Sequence, residues 1–229
     1  MRDLTFASGH RPLVGRVFDP SIKARGDRCG VLFVHGQRSS QEGYEHRARS
    51  VSHNLGAVCF TFDLSEHGHD AANFDRYSGY DHLDDVVAAF DCLASQRALD
   101  RARIGVCGAS YGGYLAALLT AHRAVKRLIL RAPSLVENIH SPPWQQRPSP
   151  SSEVPERFDS LSVLRCYGGQ VLVIESEKDE IIPASHIAAY LRVSSHAERR
   201  IIHEATHALL EARWDEEFIS AIVEWFRVL

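Results

Sequence analysis

Three short, continuously apolar runs, VLFV, VCFTF and VLVI, constrain the fold of this chain more than any other feature. A run without polar alternation is typical of a strand in a parallel sheet that helices cover on both faces. Such runs, with weaker ones beside them, predict seven strands: Leu13–Phe18, Gly30–His35, Ala57–Phe62, Ile104–Gly108, Arg127–Leu130, Gln170–Glu175 and Arg199–His203. Helical patterns alternate with them, at Tyr80–Gln96, Tyr111–His122, Ala184–Arg192 and Trp214–Leu229. This alternation predicts an α/β protein with a mostly parallel, doubly wound sheet.

Length and charge narrow the class of protein. The 229 residues suit a single domain spanning 1–229, and 45% hydrophobic with 24% charged residues is a globular composition. A net charge of -3 disfavours nucleic-acid and anionic-membrane partners, which would select a basic surface. The sequence contains neither a signal-peptide core nor an apolar stretch long enough to span a bilayer. The oligomeric state cannot be read from these features.

Cysteine usage predicts the compartment. The chain has five cysteines, an odd number without CxxC pairing, and most lie in apolar runs. We therefore expect buried thiols in a reducing cytoplasm, rather than disulfides or metal ligands. The residues concerned are Cys29, Cys59, Cys92, Cys107 and Cys166.

The strongest chemical signal is the string Gly108-Ala109-Ser110-Tyr111-Gly112, which fits G-x-S-x-G. A predicted strand precedes it and a helix rich in Ala and Leu follows, so Ser110 is expected on a tight strand-to-helix turn that exposes its hydroxyl. The N–H groups at the start of that helix have no intrahelical partner, and the N–H of Tyr111 is therefore a candidate oxyanion donor. The alternative is a glycine-rich helix start with an incidental serine.

The stretch GASYGGYLAAL resembles the α/β-hydrolase superfamily, and is most similar to prolyl oligopeptidase-type and dienelactone-hydrolase-like single-domain members. The resemblance implies the α/β-hydrolase fold, with a short irregular cap after its sixth strand. The dipeptide His35-Gly36 matches an HG dipeptide of the superfamily. By that resemblance Gln37 supplies the second oxyanion N–H, and His35 shapes the loop.

The resemblance also implies the acid and the base. The superfamily places an Asp four residues before a Pro, and Asp179 with Pro183 fits this spacing; Glu177 is the next candidate. His207 fits the loop histidine after the last strand, and we prefer it to His203. The order Ser, Asp, His along the chain is the α/β-hydrolase order.

A further segment, DLSEHGHD, partly matches the superfamily pattern D-x-x-G-x-G through Asp63, Gly68 and His69. We interpret it as a structural loop beside the site. Asp63 is expected to cap a turn.

The string His203-Glu204-Ala205-Thr206-His207 spells H-E-x-x-H, which on a helix would indicate a zinc protease. The preceding residues predict a strand, and Glu211 is the only downstream residue that suggests a third ligand. The zinc interpretation would also leave Ser110 and Asp179 unexplained. We therefore predict no metal and no cofactor.

The region 137–168 departs from the strand and helix alternation. Its first part, ENIHSPPWQQRPSPSS, is rich in Pro and Ser and predicts an irregular excursion, with a short helix near Pro155–Cys166. Excursions after strand ends lie over the site in α/β sheets, which predicts a cap-like segment. Two roles are open for Trp144 in such a segment. It would contact the acyl or alcohol part of a substrate, or it would anchor the loop to the core.

These features together predict a serine hydrolase that cleaves a carboxylic ester, lactone or thioester of a small to medium substrate. Ser110 would form an acyl-enzyme, with His207 as general base and acid and Asp179 orienting it. The main alternative is a peptidase or acylaminoacyl hydrolase with the same triad, although prolyl oligopeptidase relatives usually carry a further domain. A zinc hydrolase and a non-catalytic ligand-binding protein are lesser alternatives.

Overall fold

The computed structural model describes residues 1–20, 27–68, 79–135 and 159–229. Its strands are β1 (Arg2–Ser8), β2 (Arg11–Phe18), β3 (Arg28–Val34), β4 (Val58–Phe62), β5 (Leu99–Ala109), β6 (Arg127–Arg131), β7 (Gln170–Ser176) and β8 (Ala197–Ile202). Its helices are α1 (Glu42–Leu55), α2 (Gly79–Ala94), α3 (Tyr111–Leu119), α4 (Ser160–Arg165), α5 (Ala184–Val193) and α6 (Ala212–Phe226).

The eight strands form one sheet in the order β1-β2-β4-β3-β5-β6-β7-β8. The pairs β1–β2 and β2–β4 are antiparallel, and every pair from β4 to β8 is parallel. The carboxyl ends of β3 to β8 therefore lie along one edge of the sheet. In a sheet of this kind that edge is where a binding site is expected.

Helices pack on both faces of the sheet. One apolar core joins it to α2, α3, α4 and α5, and a second joins it to α1 and α6. All five residues of β4 are buried, as are all residues of β3 after Arg28. This arrangement explains the uninterrupted apolar runs and confirms the predicted doubly wound α/β fold.

The ends of the helices follow local rules. α1 ends at Gly56, whose φ of 65° is a left-handed conformation that glycine adopts without strain. α4 begins after Asp159, whose carboxylate accepts the N–H of Leu161 at 3.0 Å.

Within the described ranges, no helix has both the length and the apolar composition needed to cross a bilayer.

Two elements, β1 and α1, were not predicted. The short helix predicted near Pro155–Cys166 is confirmed by α4. Cys166, expected to be buried, is exposed at the end of α4, and Cys92 is only partly buried; the other three thiols are buried. The rest of the predicted cap, 137–158 with Trp144, lies outside the described residues.

Candidate active site

Ser110 occupies a sharp turn between β5 and α3. Its φ of 55° and ψ of -121° are unusual for a residue with a Cβ atom. Its N–H donates to the carbonyl of Arg131 at 2.9 Å, and its carbonyl accepts the N–H of Ser134 at 3.1 Å. The neighbouring strand β6 therefore holds the serine backbone in this conformation.

Close backbone contacts surround the turn and explain its small residues. A Cβ atom at Gly112 would lie 2.3 Å from the carbonyl oxygens of Val34 and His35, so only glycine lets α3 approach the end of β3. A Cβ atom at Gly36 would lie 3.3 Å from the Cβ of Ser110 and 3.8 Å from its Oγ. The His35-Gly36 turn therefore packs directly against the serine.

His35 fixes the peptide that follows Gly36. Its Nε2 accepts the N–H of Leu64 at 3.1 Å, so the proton of the neutral ring is on Nδ1. That Nδ1–H donates to the carbonyl of Gly36 at 2.8 Å. Burial, with a contribution from neighbouring His67, lowers the pKa of His35 to about 3, which keeps the ring neutral at ordinary pH.

A second buried histidine binds the side chain of Tyr111. The Nε2 of His82 lies 3.1 Å from the carbonyl of Ser65, which can only accept, so Nε2 carries the proton and Nδ1 accepts. The hydroxyl of Tyr111 donates to this Nδ1 at 3.0 Å. Burial, then the proximity of His67, lowers the pKa of His82 to about 4. The rings of His35, His67 and His82 contact one another in sequence, with centroids 5.2 Å apart.

Asp179 and His207 form a hydrogen-bonded pair. Asp179 lies in the turn after β7 and His207 in the loop after β8, and the Nδ1 of His207 lies 2.8 and 3.0 Å from the two carboxylate oxygens. Oδ1 of Asp179 also accepts the N–H groups of Ile181 and Ile182, at 2.9 and 2.8 Å. Burial raises the pKa of this carboxyl, but the hydrogen bonds from His207 and the backbone outweigh it and lower the pKa overall. With its Nδ1–H donated to Asp179, His207 has Nε2 available as a base.

Further bonds join the turn after β7 to the loop after β8. The carboxylate of Glu177 accepts the N–H of Glu204 at 2.8 Å, and that of Glu180 accepts the N–H of His207 at 3.1 Å. The N–H of Lys178 donates to the carbonyl of Ala205 at 2.9 Å. Glu177, the second candidate for the acid, therefore binds the backbone of the loop and not the ring of His207.

The H-E-x-x-H string does not form a helix. β8 ends at Ile202, and Glu204 has a φ of 61°. His203 is exposed and lies 3.4 Å from Glu177, whereas His207 binds Asp179. The two histidines therefore do not share the helix face that this zinc motif requires. Across the described ranges, no group of three or more His, Cys, Asp or Glu side chains is placed to hold a metal ion.

Asp63 caps the segment that leads into α1, not its own turn. Its Oδ1 accepts the N–H of Gln41 at 2.7 Å, and its Oδ2 accepts the Nε2 of the same residue at 3.1 Å. A Cβ atom at Gly68 would lie 2.4 Å from this carboxylate, so glycine is needed for the loop to pass it. His69 lies outside the described residues.

Three residues that contact the site carry no distinctive sequence signal: Arg131, Glu180 and His82. Arg131 is the last residue of the run RLILR. A charged residue at such a position more often indicates that the strand ends in solvent. Glu180 was one of four acids in the segment ESEKDE, and His82 one of 13 histidines in the chain. Their contacts with the site depend on tertiary structure, for which the sequence carries no periodic signal.

The sheet order and the serine on a strand-to-helix turn define a member of the α/β-hydrolase superfamily, as predicted. Residues 53–228 match the model of the prolyl oligopeptidase family. This match covers more than half of the chain, which therefore belongs to that family. No sequence among curated proteins matches the chain.

Solved esterase structures share the fold at low sequence identity. A thermostable carboxylesterase cloned from a metagenomic library matches with a TM-score of 0.78 and 18% identity, over 99% of this chain and 88% of that one. The esterase domain of a Rhodothermus marinus protein matches with a TM-score of 0.75 and 16% identity, over 99% and 98%. A hyperthermophilic esterase from the archaeon Pyrobaculum calidifontis matches with a TM-score of 0.74 and 20% identity, over 99% and 82%.

Proposed function

We propose that this protein is a serine hydrolase that cleaves a carboxylic ester, lactone or thioester of a small to medium substrate, with Ser110, His207 and Asp179 as its catalytic triad. The observation that carries the proposal is the hydrogen bond from His207 to Asp179, on the loops after β8 and β7, at the sheet edge where β5 presents Ser110. The family match supports the same reaction class.

The proposed reaction has two steps. His207 Nε2 takes the proton of Ser110 as Oγ attacks the substrate carbonyl carbon, and the N–H groups of Gln37 and Tyr111 stabilise the resulting oxyanion. The intermediate collapses to an acyl-enzyme as His207 gives its proton to the leaving alcohol or thiol. Water, deprotonated by His207, then attacks the acyl carbon. As the acid leaves, His207 returns this proton to Ser110 Oγ, which restores the free enzyme.

The second candidate is a peptidase or acylaminoacyl hydrolase with the same triad. The match to the prolyl oligopeptidase family favours it. The fold shared with three esterases favours the ester reaction. Both reactions pass through the same acyl-enzyme, so the leaving group that the enzyme accepts distinguishes them.

Covalent labelling tests the nucleophile and the base. A fluorophosphonate should add one phosphonyl group to the wild-type protein at Ser110, as read by intact mass and peptide mapping. Ser110→Ala and His207→Ala should abolish labelling, whereas the matched control His203→Ala should keep it. Labelling that survives Ser110→Ala would show that another residue is the nucleophile. Turnover that survives Ser110→Ala and is abolished by EDTA would refute the serine mechanism in favour of the zinc alternative.

A substrate panel tests the leaving group. We expect turnover of p-nitrophenyl esters of short acids, with Ser110→Ala as the blank. Alanyl p-nitroanilide and acyl-CoA in the same assay separate the peptidase and the thioesterase. Cleavage of the anilide alone would replace the ester proposal with the peptidase. Ligand binding without turnover, in protein whose Ser110 resists acylation, would indicate a binding protein.

A further inference from the structure

A buried arginine lies beneath the candidate site. Arg131 is the last residue of β6 and is only 6% exposed. It pairs with Ala109 of β5 and Ile174 of β7, two residues of the core that packs against α1 and α6. Placing a guanidinium there is unfavourable unless hydrogen bonds and charges compensate it.

Arg131 contacts the segments that carry all three proposed triad residues. Its Nη2 donates to the Oγ of Ser176, the last residue before the turn with Asp179, at 2.7 Å. The same nitrogen donates to the carbonyl of Thr206, directly before His207, at 3.2 Å. Its own carbonyl accepts the N–H of Ser110 at 2.9 Å.

The surroundings of Arg131 compensate its charge only in part. Burial lowers the pKa of its guanidinium, and Tyr44 and Asp179 oppose this, while Arg47 adds to it. Arg47 itself is paired with Asp215 at 2.6 Å. The buried Nε of Arg131 has no hydrogen-bond partner among the described residues.

Stability alone gives a weak reason for an arginine at this position. Among the described residues no carboxylate forms an ion pair with Arg131, and burying a cation without one is unfavourable. The two acceptors of its Nη2, however, both lie on segments that position the acid and the base. The contacts therefore connect the buried cation with the geometry of the site.

We infer that Arg131 is a positioning residue for the general base: it holds the carbonyl of Thr206, and through it His207, in register with Asp179 and Ser110. This inference rests on the proposed function. Among the described residues, the charged groups that hydrogen-bond to His207 are Asp179, at its ring, and Glu180, at its backbone N–H.

The test compares Arg131→Met with Arg127→Met. Arg127 lies on the same strand and face, about 13 Å away at the other end of β6, and stacks on Trp225. We expect Arg131→Met to lower kcat about 10- to 100-fold with little change in KM, because the base is displaced from its productive position. Arg127→Met should keep the wild-type kcat.

The rate of fluorophosphonate labelling separates positioning of His207 from a loss of folded protein. Because His207 activates Ser110 in the proposed mechanism, the rate constant of labelling should fall together with kcat in Arg131→Met. The labelled fraction at completion should stay that of the wild type. Arg131→Lys keeps the charge but not the planar fork, and should show an intermediate kcat and an intermediate rate constant of labelling.

The outcomes are distinguishable. If wild-type Ser110 is acylated and turns over esters, but Arg131→Met retains the wild-type kcat and labelling rate, this inference is wrong and the proposed function stands. If Arg131→Met does not fold, Arg131→Lys decides: a reduced kcat supports the inference and an unchanged kcat overturns it. If wild-type Ser110 is not acylated, both fail together.

Discussion

His35 donates its Nδ1–H to the carbonyl of Gly36, the residue that follows it, at 2.8 Å. That carbonyl and the N–H of Gln37 belong to one planar peptide, so they point in opposite directions. By holding the oxygen, His35 directs the N–H of Gln37, the proposed oxyanion donor. Its ring accepts a backbone N–H at Nε2 and is neutral, so it acts as a fixed spacer and not as a proton carrier.

The first prediction follows from this bond. His35→Ala removes the shorter of two hydrogen bonds to the carbonyl of Gly36 and leaves the one from the N–H of Ser39 at 3.3 Å, so the peptide is held less firmly. We expect kcat to fall about 10- to 100-fold, less than the roughly 10²- to 10³-fold loss for removal of a donor itself. A trifluoromethyl ketone, which forms a tetrahedral adduct with Ser110, should lose affinity by a similar factor. Unchanged inhibition together with a reduced kcat would place the effect outside the oxyanion site.

The second prediction concerns Asp179. Its Oδ1 accepts the N–H groups of Ile181 and Ile182, so in Asp179→Asn the amide oxygen should stay there and direct the NH₂ group toward His207. The amide would then donate to Nδ1 and leave the proton on Nε2, the wrong tautomer for a base. We expect kcat to fall about 10³- to 10⁴-fold with a small change in KM.

A matched control for Asp179→Asn is Glu177→Gln. Glu177 accepts the backbone N–H of Glu204. No hydrogen bond between Glu177 and the ring of His207 is present among the described residues. Steady-state kinetics should therefore give a kcat near the wild-type value. Equal losses in the two variants would indicate that the turn as a whole, and not the carboxylate at 179, supports His207.

The third prediction concerns the pH dependence of stability. His82 has its pKa lowered to about 4 by burial and by His67, against about 6.5 when unfolded. Between these values the unfolded chain binds more protons, so the free energy of unfolding falls as pH falls through 6.5 toward 4. From pH 7 to pH 5 this amounts to about 2 kcal/mol for one such histidine.

Urea unfolding at the two pH values tests this. His82→Asn should be less stable than wild type at pH 7, and the gap should narrow by about 2 kcal/mol at pH 5. His203→Asn, at an exposed position, is the control and should follow the wild-type dependence. A constant gap between His82→Asn and wild type would show that the ring is not held neutral.

The sequence predicts the parallel core of the fold because its strands are buried on both faces and read as apolar runs. It does not predict β1, an edge strand whose residues are mostly exposed. α1 is also missed, since it buries only Tyr44, Ala48, Val51 and Ser52 in an otherwise polar stretch. That spacing of i, i+4, i+7 and i+8 is helical, and is the signal that could have found it.

The candidate site likewise contains some residues that the sequence indicates and others that it does not. Ser110, Asp179 and His207, the proposed triad, follow strands whose ends the sequence locates, and the resemblance to the α/β-hydrolases distinguishes them from the other candidates. Arg131 and His82 are different, because each acquires its role from contacts across the fold, with Thr206 and with Tyr111. Spacing along the chain carries no information about such contacts.

The last prediction uses the backbone of Ser110. Its φ of 55° strains any residue with a Cβ atom, by about 1–3 kcal/mol for such conformations. Glycine removes that strain but loses more entropy on folding, by about 0.5–1 kcal/mol relative to Ala. Ser110→Gly should therefore unfold at higher denaturant than Ser110→Ala, by about 1 kcal/mol, with both variants inactive. At Ser52, inside α1, the order should reverse, because helical φ gives glycine no advantage over Ala. Equal stability of the two Ser110 variants would mean that the turn relaxes when the hydroxyl is removed, and that the serine conformation is not imposed by β6.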